Sequence, residues 1–337
     1  MAYSTGTASD IDDLINVKLK AFAIANGWTV NEDNWPTFIS LSKGTCFVNF
    51  QRYLASGTDP FGYPYTDHRL YARISSGYGP GGFTGQPNVA AYDAIANDLT
   101  GPFTSYHFFS GPTVGPQYIH AVIETRAGFY VHIFFGEADT LTLGITPRPA
   151  YLAVSYYHWW AYSANPSARY EGKAGIGVHA FLFASSNTDN FQLYIGGADS
   201  QEPVKVGTQV LQIFRPFNTL GDYITSSGAG HFADAVHSLG LNPINGVTPF
   251  LPAPLLVEFP SNVEAFFPLG VVPDFRFCSL HGRQAGEEVQ LSGDTWKFFP
   301  MRRRREDGGT VPPEEIRESP PYENTSGWCG FAVRKIV

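Results

Sequence analysis

Nine histidines, three cysteines and the carboxylates Glu137 and Asp139 are the side chains of this 337-residue chain considered first for chemistry. The histidines stand at 68, 107, 120, 132, 158, 179, 231, 237 and 281, and none falls in an HExxH motif or in the paired Cys/His spacing of a zinc site. His120 and His132 belong to one expected hairpin and would lie close. Tyr and His filling sheet positions is the commoner arrangement there, so no metal is expected. Glu137 and Asp139, two residues apart at a strand end, share a face, but a glycosidase pair must flank a cleft and spacing alone is weak support for one. Gly77, Gly79 and Gly82 have the GxGxxG spacing of a dinucleotide loop, which requires a preceding parallel strand and a following helix. Pro80 interrupts it and Phe83 to Pro87 starts no helix, so the stretch reads as a flexible surface loop. Cys46, Cys278 and Cys329 form no CxxC pair and read as buried thiols of a reducing compartment, with one pairing allowed. Cys46 alternates with Val48 and Phe50 against Phe47, Asn49 and Gln51, which makes it a core thiol without a local base. No GxSxG elbow and no P-loop occurs. The chain is expected to be no enzyme and to hold no cofactor.

The elements that must position these groups are mostly short strands. The stretch from Tyr106 to Gly144 reads as three of them, YHFF, YIHAVIET and GFYVHIFFGEA, broken at Gly111/Pro112 and Ala127/Gly128. Ile119, Ala121 and Ile123 fall on one face of the second strand, with Tyr118, His120, Val122 and Glu124 on the other. The third carries Phe129, Val131, Ile133 and Phe135 against Tyr130, His132 and Phe134. Both faces are apolar, so this strand is expected to be covered on both sides, by a second sheet or by another subunit. Residues 9–26 are the one clear helix, capped at Ser9, with Ile11, Leu14, Ile15, Leu19, Phe22 and Ala23 as its apolar stripe and Asn26-Gly27 as its stop. Strands are expected over 28–43 and 45–54, a Gly/Pro/Tyr loop over 54–67, and a short helix around Val89 to Leu99. Further strands are read in 150–164, 178–186, 190–198 and 206–218, then a helix-like piece at 230–240. Prolines at 243, 249, 252, 254, 260, 268 and 273 interrupt helix and central strand alike, yet the segment is rich in Leu, Val and Phe. An extended arm lying along its own domain or a neighbour fits both facts. A hairpin around Ser292-Gly293-Asp294 and a closing strand GFAVRKIV end the chain. The reading is mainly β: an antiparallel β-sandwich-like fold with leader and helix at 1–30, a β domain at 31–239, the arm at 240–274 and a C-terminal β region at 275–337.

Composition limits the partners. Hydrophobic residues make up 43% and aromatics 15%, with only 15% charged, and the net charge is −8. An acidic balance leaves nothing to neutralise phosphates, so no nucleic acid is expected. Low charge leaves weakly polar surface suited to subunit packing. Arg302 to Arg305 look basic, yet residues 302–323 hold five arginines against six acids, a self-compensated mobile loop. The aromatic cluster Tyr156, Tyr157, Trp159 and Trp160 suits either a sheet or subunit contact or, as the alternative, a platform for a host surface glycan. Phe250, Leu251, Leu255 and Phe259 are the arm's candidate contact residues. No basic region and apolar run opens the chain, no apolar tract is long enough for a membrane helix, and the sequon at Asn324 lacks a secretory context, so synthesis in the cytoplasm is expected.

Three segments together resemble a family of tailed-bacteriophage virion proteins. MAYSTGTASDIDDLINVKLKAFAIANGWTV is similar to its start, a "TGTA" leader, a helix and a Gly-Trp strand. YHFF followed by YIHAVIETRAGFYVHIFFGE is similar to its central hairpin. GDTWKFFPMRRRRE and NTSGWCGFAVRKIV resemble its closing pattern. The segments cover about a third of the chain, and the Pro-rich stretch and charged loop depart from the pattern. The resemblance implies a structural component of the tail, baseplate or neck of a virion, packing against copies of itself and other virion proteins. A cell-wall hydrolase is the third and least favoured class.

Overall fold

The computed structural model describes residues 3–58, 64–90, 93–96, 99–140, 148–154, 191–194, 205–206, 209–210, 213–214, 249–259, 265–280, 282–300 and 329–336. The fold is mainly β, and the described residues form three large antiparallel sheets, a two-stranded ladder and one short helical segment. The central sheet runs in the order β1 (Tyr3–Ala8), β7 (Phe103–Ser110), β8 (Tyr118–Arg126), β9 (Phe129–Glu137), β10 (Ala150–Val154) and β11 (Phe191–Tyr194). A second sheet holds β2 (Thr29–Asn34), β3 (Phe38–Lys43), β4 (Cys46–Thr58), β5 (Pro64–Ser75) and β6 (Ala94–Ala96) in sequence order. The C-terminal sheet runs β14 (Ile213–Phe214), β15 (Leu251–Phe259), β16 (Ala265–Ser279), β19 (Cys329–Lys335), β18 (Asp294–Pro300) and β17 (Glu288–Leu291). β12 (Lys205–Val206) and β13 (Gln209–Val210) pair with each other, so the single strand expected over 206–218 is broken into short pieces.

The three large sheets stack with the central one in the middle. Period-2 alternation does the sorting. Ile119, Ala121 and Ile123 of β8 and Val131, Ile133 and Phe135 of β9 share one buried cluster with Leu41, Val48, Phe50, Leu70, Ala72 and Ile74 of the second sheet. On the opposite face, Phe134 meets Phe275 and Phe331 of the C-terminal sheet at ring separations of 5.7 Å each, and His132 meets Phe331 at 4.8 Å. All nine residues of β9 are buried. The expected two-sided cover comes from sheets of the chain itself.

The helical segment is a π-helical stretch, Asp13–Leu19, continued by α1 (Lys20–Ala25). Its six predicted stripe residues, Ile11, Leu14, Ile15, Leu19, Phe22 and Ala23, are all buried. The cap differs from the expected one. Asp10 rather than Ser9 accepts the Asp13 N–H at 2.8 Å, and the Asp13 carboxylate accepts the Ser9 N–H in return. Asp12 serves elsewhere, accepting from Trp35 Nε1 at 2.6 Å and from the Arg52 guanidinium. Gly27, at φ +79°, supplies the predicted left-handed stop.

Several expectations are corrected. The described part of the leader is a strand, β1, which pairs along β7 with Tyr3 opposite Phe109. The stretch 28–43 is two strands turning at 35–37. The described residues of 54–67, namely 54–58 and 64–67, are strand, because β4 and β5 stay in one-to-one register from Phe47↔Ser75 to Thr58↔Pro64. Around 89–99 the described residues hold a short strand, β6, paired to Leu70–Ala72, in place of a helix. The Pro-rich segment is, over its described residues, the β15–β16 hairpin of the C-terminal sheet, and β16 runs through the boundary expected at 274. The prolines of its described strands fall at the register slip or where β16 has a single partner. β16 has partners on both edges only at Arg276 and Phe277, neither a proline, while Pro268 lies where β15 alone is the partner. The register slips around Pro252 and Pro254, and Pro273 and Asp274, the latter at φ +50°, lie in the resulting bulge.

Candidate functional site

The side chains singled out for chemistry are mostly enclosed. His120 is fully buried between the central and C-terminal sheets, its ring stacked between Tyr118 at 4.4 Å and Phe134 at 4.3 Å. Its Nε2 lies 2.6 Å from the Tyr151 hydroxyl and its Nδ1 has no hydrogen-bond partner. Burial drives its pKa well below the ordinary range, so the ring is neutral. Next to it, the Tyr118 hydroxyl donates to Asp274 at 2.6 Å, and Asp274 pairs with Arg334, which also binds Asp294 at 2.9 Å. This is a polar rivet between two sheets. His132 lies diagonally across the β8–β9 ladder from His120, on the same face. Among the described residues no three His, Cys, Asp or Glu side chains gather as a metal site.

Glu137 and Asp139 do not face one another across a cleft. Glu137 is buried and its oxygens are in use: Oε1 accepts from Thr45 N at 2.9 Å and Thr45 Oγ1 at 3.1 Å, and Oε2 accepts from Gln117 N at 3.1 Å, with Arg148 4.0 Å away. It ties the β3–β4 turn to the start of β8. Asp139 is exposed, and its backbone bridges to Val271 through bonds of 2.9 and 2.8 Å. Cys46 is a core thiol as expected. Burial first, then the Glu137 charge, push its pKa far above the usual thiol range, so no thiolate forms.

The candidate contact residues divide. Tyr156, Tyr157, Trp159 and Trp160 lie outside the described residues, as does the 302–323 loop. Phe250 is half-buried, with its ring 5.2 Å from Trp296 and 5.7 Å from Phe298. It belongs to a satellite cluster on the outer side of the C-terminal sheet with Leu280 and Ala332. Leu251 begins β15 opposite Phe277, and Leu255 and Phe259 lie further along the same strand. The loop reading missed an exposed strand element, the distal half of the β4–β5 hairpin. Among the described residues, β3 pairs with β4 only as far as Phe50 and β6 with β5 only at Leu70–Ala72, so the ribbon runs on beyond both. Tyr53 (47% exposed) and Leu54 (53%) lie on it, and Tyr53 stacks on Tyr71 at 4.9 Å. Arg52 anchors its base to Asp12. The signal for a strand here was the alternation of Leu70, Ala72 and Ile74 with Arg69, Tyr71 and Arg73.

The glycine-rich stretch 76–88 hoods the outer face of the second sheet. It follows an antiparallel strand and leads to no helix among the described residues, so the context of a dinucleotide loop is not met. Gln86, 3% exposed, holds it closed: its Oε1 accepts from Gly79 N at 2.8 Å and its Nε2 donates to the carbonyls of Gly79 and Gly82 at 2.9 and 2.6 Å. The Tyr78 hydroxyl donates to Glu32 at 2.7 Å, pinning the hood to β2. Gly81 and Gly85 pass so closely that a Cβ on Gly81 would lie 2.4 Å from the Gly85 carbonyl oxygen. Between hood and sheet is a half-open groove of about 420 Å³.

No helix among the described residues is long and apolar enough to cross a membrane. No protein-family model matches the chain, and no curated protein matches it.

Proposed function

We propose that the chain is a non-enzymatic structural subunit of a tailed-bacteriophage particle, in its tail, baseplate or neck, acting by packing against copies of itself and other virion proteins. One observation carries this reading. The three segments that bear the resemblance, far apart in sequence, form one continuous interior. Tyr3 of β1 reaches His107 of β7 and lies under Lys335 of β19, while Phe299 of β18 and Phe331 of β19 pack on His107, Tyr130, His132 and Phe134 of the central hairpin. A resemblance scattered along the chain thus corresponds to segments that touch one another in the fold. The β4–β5 ribbon, with Tyr53 and Leu54 outward, is the element through which such a body would dock, and repetition of a weak contact around a symmetric ring makes it cumulative.

The test is to purify particles of the phage that encodes this chain, detect the chain in them by mass spectrometry at a fixed copy number, and fit it in an electron-microscopy map. Presence of the chain only in the lysate and never in washed particles would overturn the reading.

A further inference from the structure

The groove beneath the 76–88 hood has the make-up of a ligand site, and we infer that it binds a neutral, hydroxyl-rich ligand, that is, a carbohydrate. The inference rests on the groove itself and stands apart from the particle reading.

The argument begins with size and preorganisation. At about 420 Å³ the groove falls within the range of ~300–1,000 Å³ usual for small-molecule sites. Its roof is built in advance. The buried Gln86 makes three hydrogen bonds to loop backbone, Ser76 N donates to the Pro87 carbonyl at 3.0 Å, and Tyr78 is tied to Glu32. A glycine-rich loop held this firmly loses little further entropy on binding.

The lining then selects the ligand. Glu32, Asn34, Thr37 and Gln51 contribute a carboxylate, two amides and a hydroxyl, and loop residues 79–84 complete the wall. The two amides each donate and accept, which matches sugar hydroxyls that also do both. Glu32 is the one charged side chain in the lining, and no Lys, Arg or His is among them. A phosphate or other anion would meet a fixed negative charge with no cation to offset it. Phe83 and Phe38, both buried and edge-on to each other at 6.3 Å, close one end of the groove with an apolar wall. The lining draws side chains from β2, the β2–β3 turn and β4, so the groove crosses the face of the sheet instead of following one strand's edge, where an extended peptide would add.

The local sequence explains why this face is polar. A slip in register between Val30 and Glu32 turns Val30 toward the core and Glu32 outward. Asn34 follows two positions on. On β4, Cys46, Val48 and Phe50 point inward, which leaves Asn49 and Gln51 on the outer face.

The experiment titrates the purified full chain with maltotetraose, cellotetraose and chitotetraose by ligand-observed NMR and calorimetry, with inorganic phosphate as the anionic probe. The expected result is saturable binding of at least one sugar and none of phosphate. The N34A/Q51A double variant should weaken it at least tenfold, with the melting temperature unchanged. The W159A/W160A variant should bind as the parent does. Three results overturn the inference: no sugar binding up to millimolar concentration, undiminished binding by N34A/Q51A, or loss of binding on W159A/W160A alone. Particle incorporation of N34A/Q51A, scored separately, keeps failure of the groove distinct from failure of the structural role.

Discussion

Acid should loosen this protein through His107, and the effect can be isolated by one substitution. The ring sits on β7, beneath β1 and against β18. Its Nδ1 is 2.9 Å from the Tyr3 hydroxyl and 3.0 Å from that of Thr5, and Phe299 lies 5.1 Å away. Burial first, and the Lys297 charge second, bring its pKa from the ordinary 6.5 down to about 4, against a smaller opposing pull from Glu288. In the unfolded chain the same ring takes its proton near pH 6.5. Between those two values the unfolded state therefore binds more protons, and stability falls as the pH drops. At pH 4.5 the two values correspond to about 2.5 kcal/mol, which solvent screening at the partly exposed ring reduces to about 1–2 kcal/mol. His107→Asn keeps a polar atom near Tyr3 and Thr5 and removes the titration. Urea midpoints followed by tryptophan fluorescence from pH 7.5 to 4.5 measure the difference between parent and variant, so groups that titrate in both cancel. The parent's advantage should shrink by about 1–2 kcal/mol over that range. A difference that stays constant with pH would refute the reasoning.

Further outcomes follow from packing and turns. Phe134→Ala removes a fully buried ring at the junction of His120, Phe275 and Phe331, and should cost about 3–5 kcal/mol in a denaturant titration. Gly44→Ala places a Cβ at φ +58° and 2.1 Å from Glu137 Oε1, so the melting temperature should drop by an amount matching roughly 2 kcal/mol or more. Glu137→Gln replaces one of two accepting oxygens with a donor facing Thr45 or Gln117, and should cost about 1–3 kcal/mol, read as a lower urea midpoint. Tyr53→Ser with Leu54→Ser changes two exposed side chains. Monomer stability should move by no more than about 0.5 kcal/mol, while light scattering and particle incorporation should report lost assembly; unchanged assembly would exclude the ribbon as the docking element.

The residues explain which features were legible. The helix stripe from Ile11 to Ala23, the alternation in β8 and β9 and the Ser292-Gly293 turn depend on neighbours within a few positions, and each was read correctly from pattern. Cys46 was placed in the core by the same alternation. The groove was not legible, because it forms only when loop 79–84 folds over Glu32, Asn34 and Gln51 from two other strands. The Glu137/Asp139 spacing offers only weak support for a glycosidase pair, and nothing near Glu137 in sequence shows Thr45, 92 residues away, donating to it. The prolines of 249–273 were read as breakers, which is right for a strand paired on both edges. That they lie where one edge suffices depends on where β19 ends its pairing.

What the chain's order of residues determined alone was the class of structure: short antiparallel strands, one amphipathic helix, and a β9 too apolar for either face to meet water. Side-chain periodicity is a local property, so it survives without knowledge of partners. What the tertiary structure decided was the partners themselves. Tyr118 meets Asp274 across 156 positions, β1 pairs with β7 across about a hundred, and the two faces of β9 are claimed by sheets from opposite ends of the chain. Many strands of similar composition could pair with one another. The choice among them is made by shape, register and the burial of particular groups such as His120 and Glu137, and those terms exist only once the sheets are stacked.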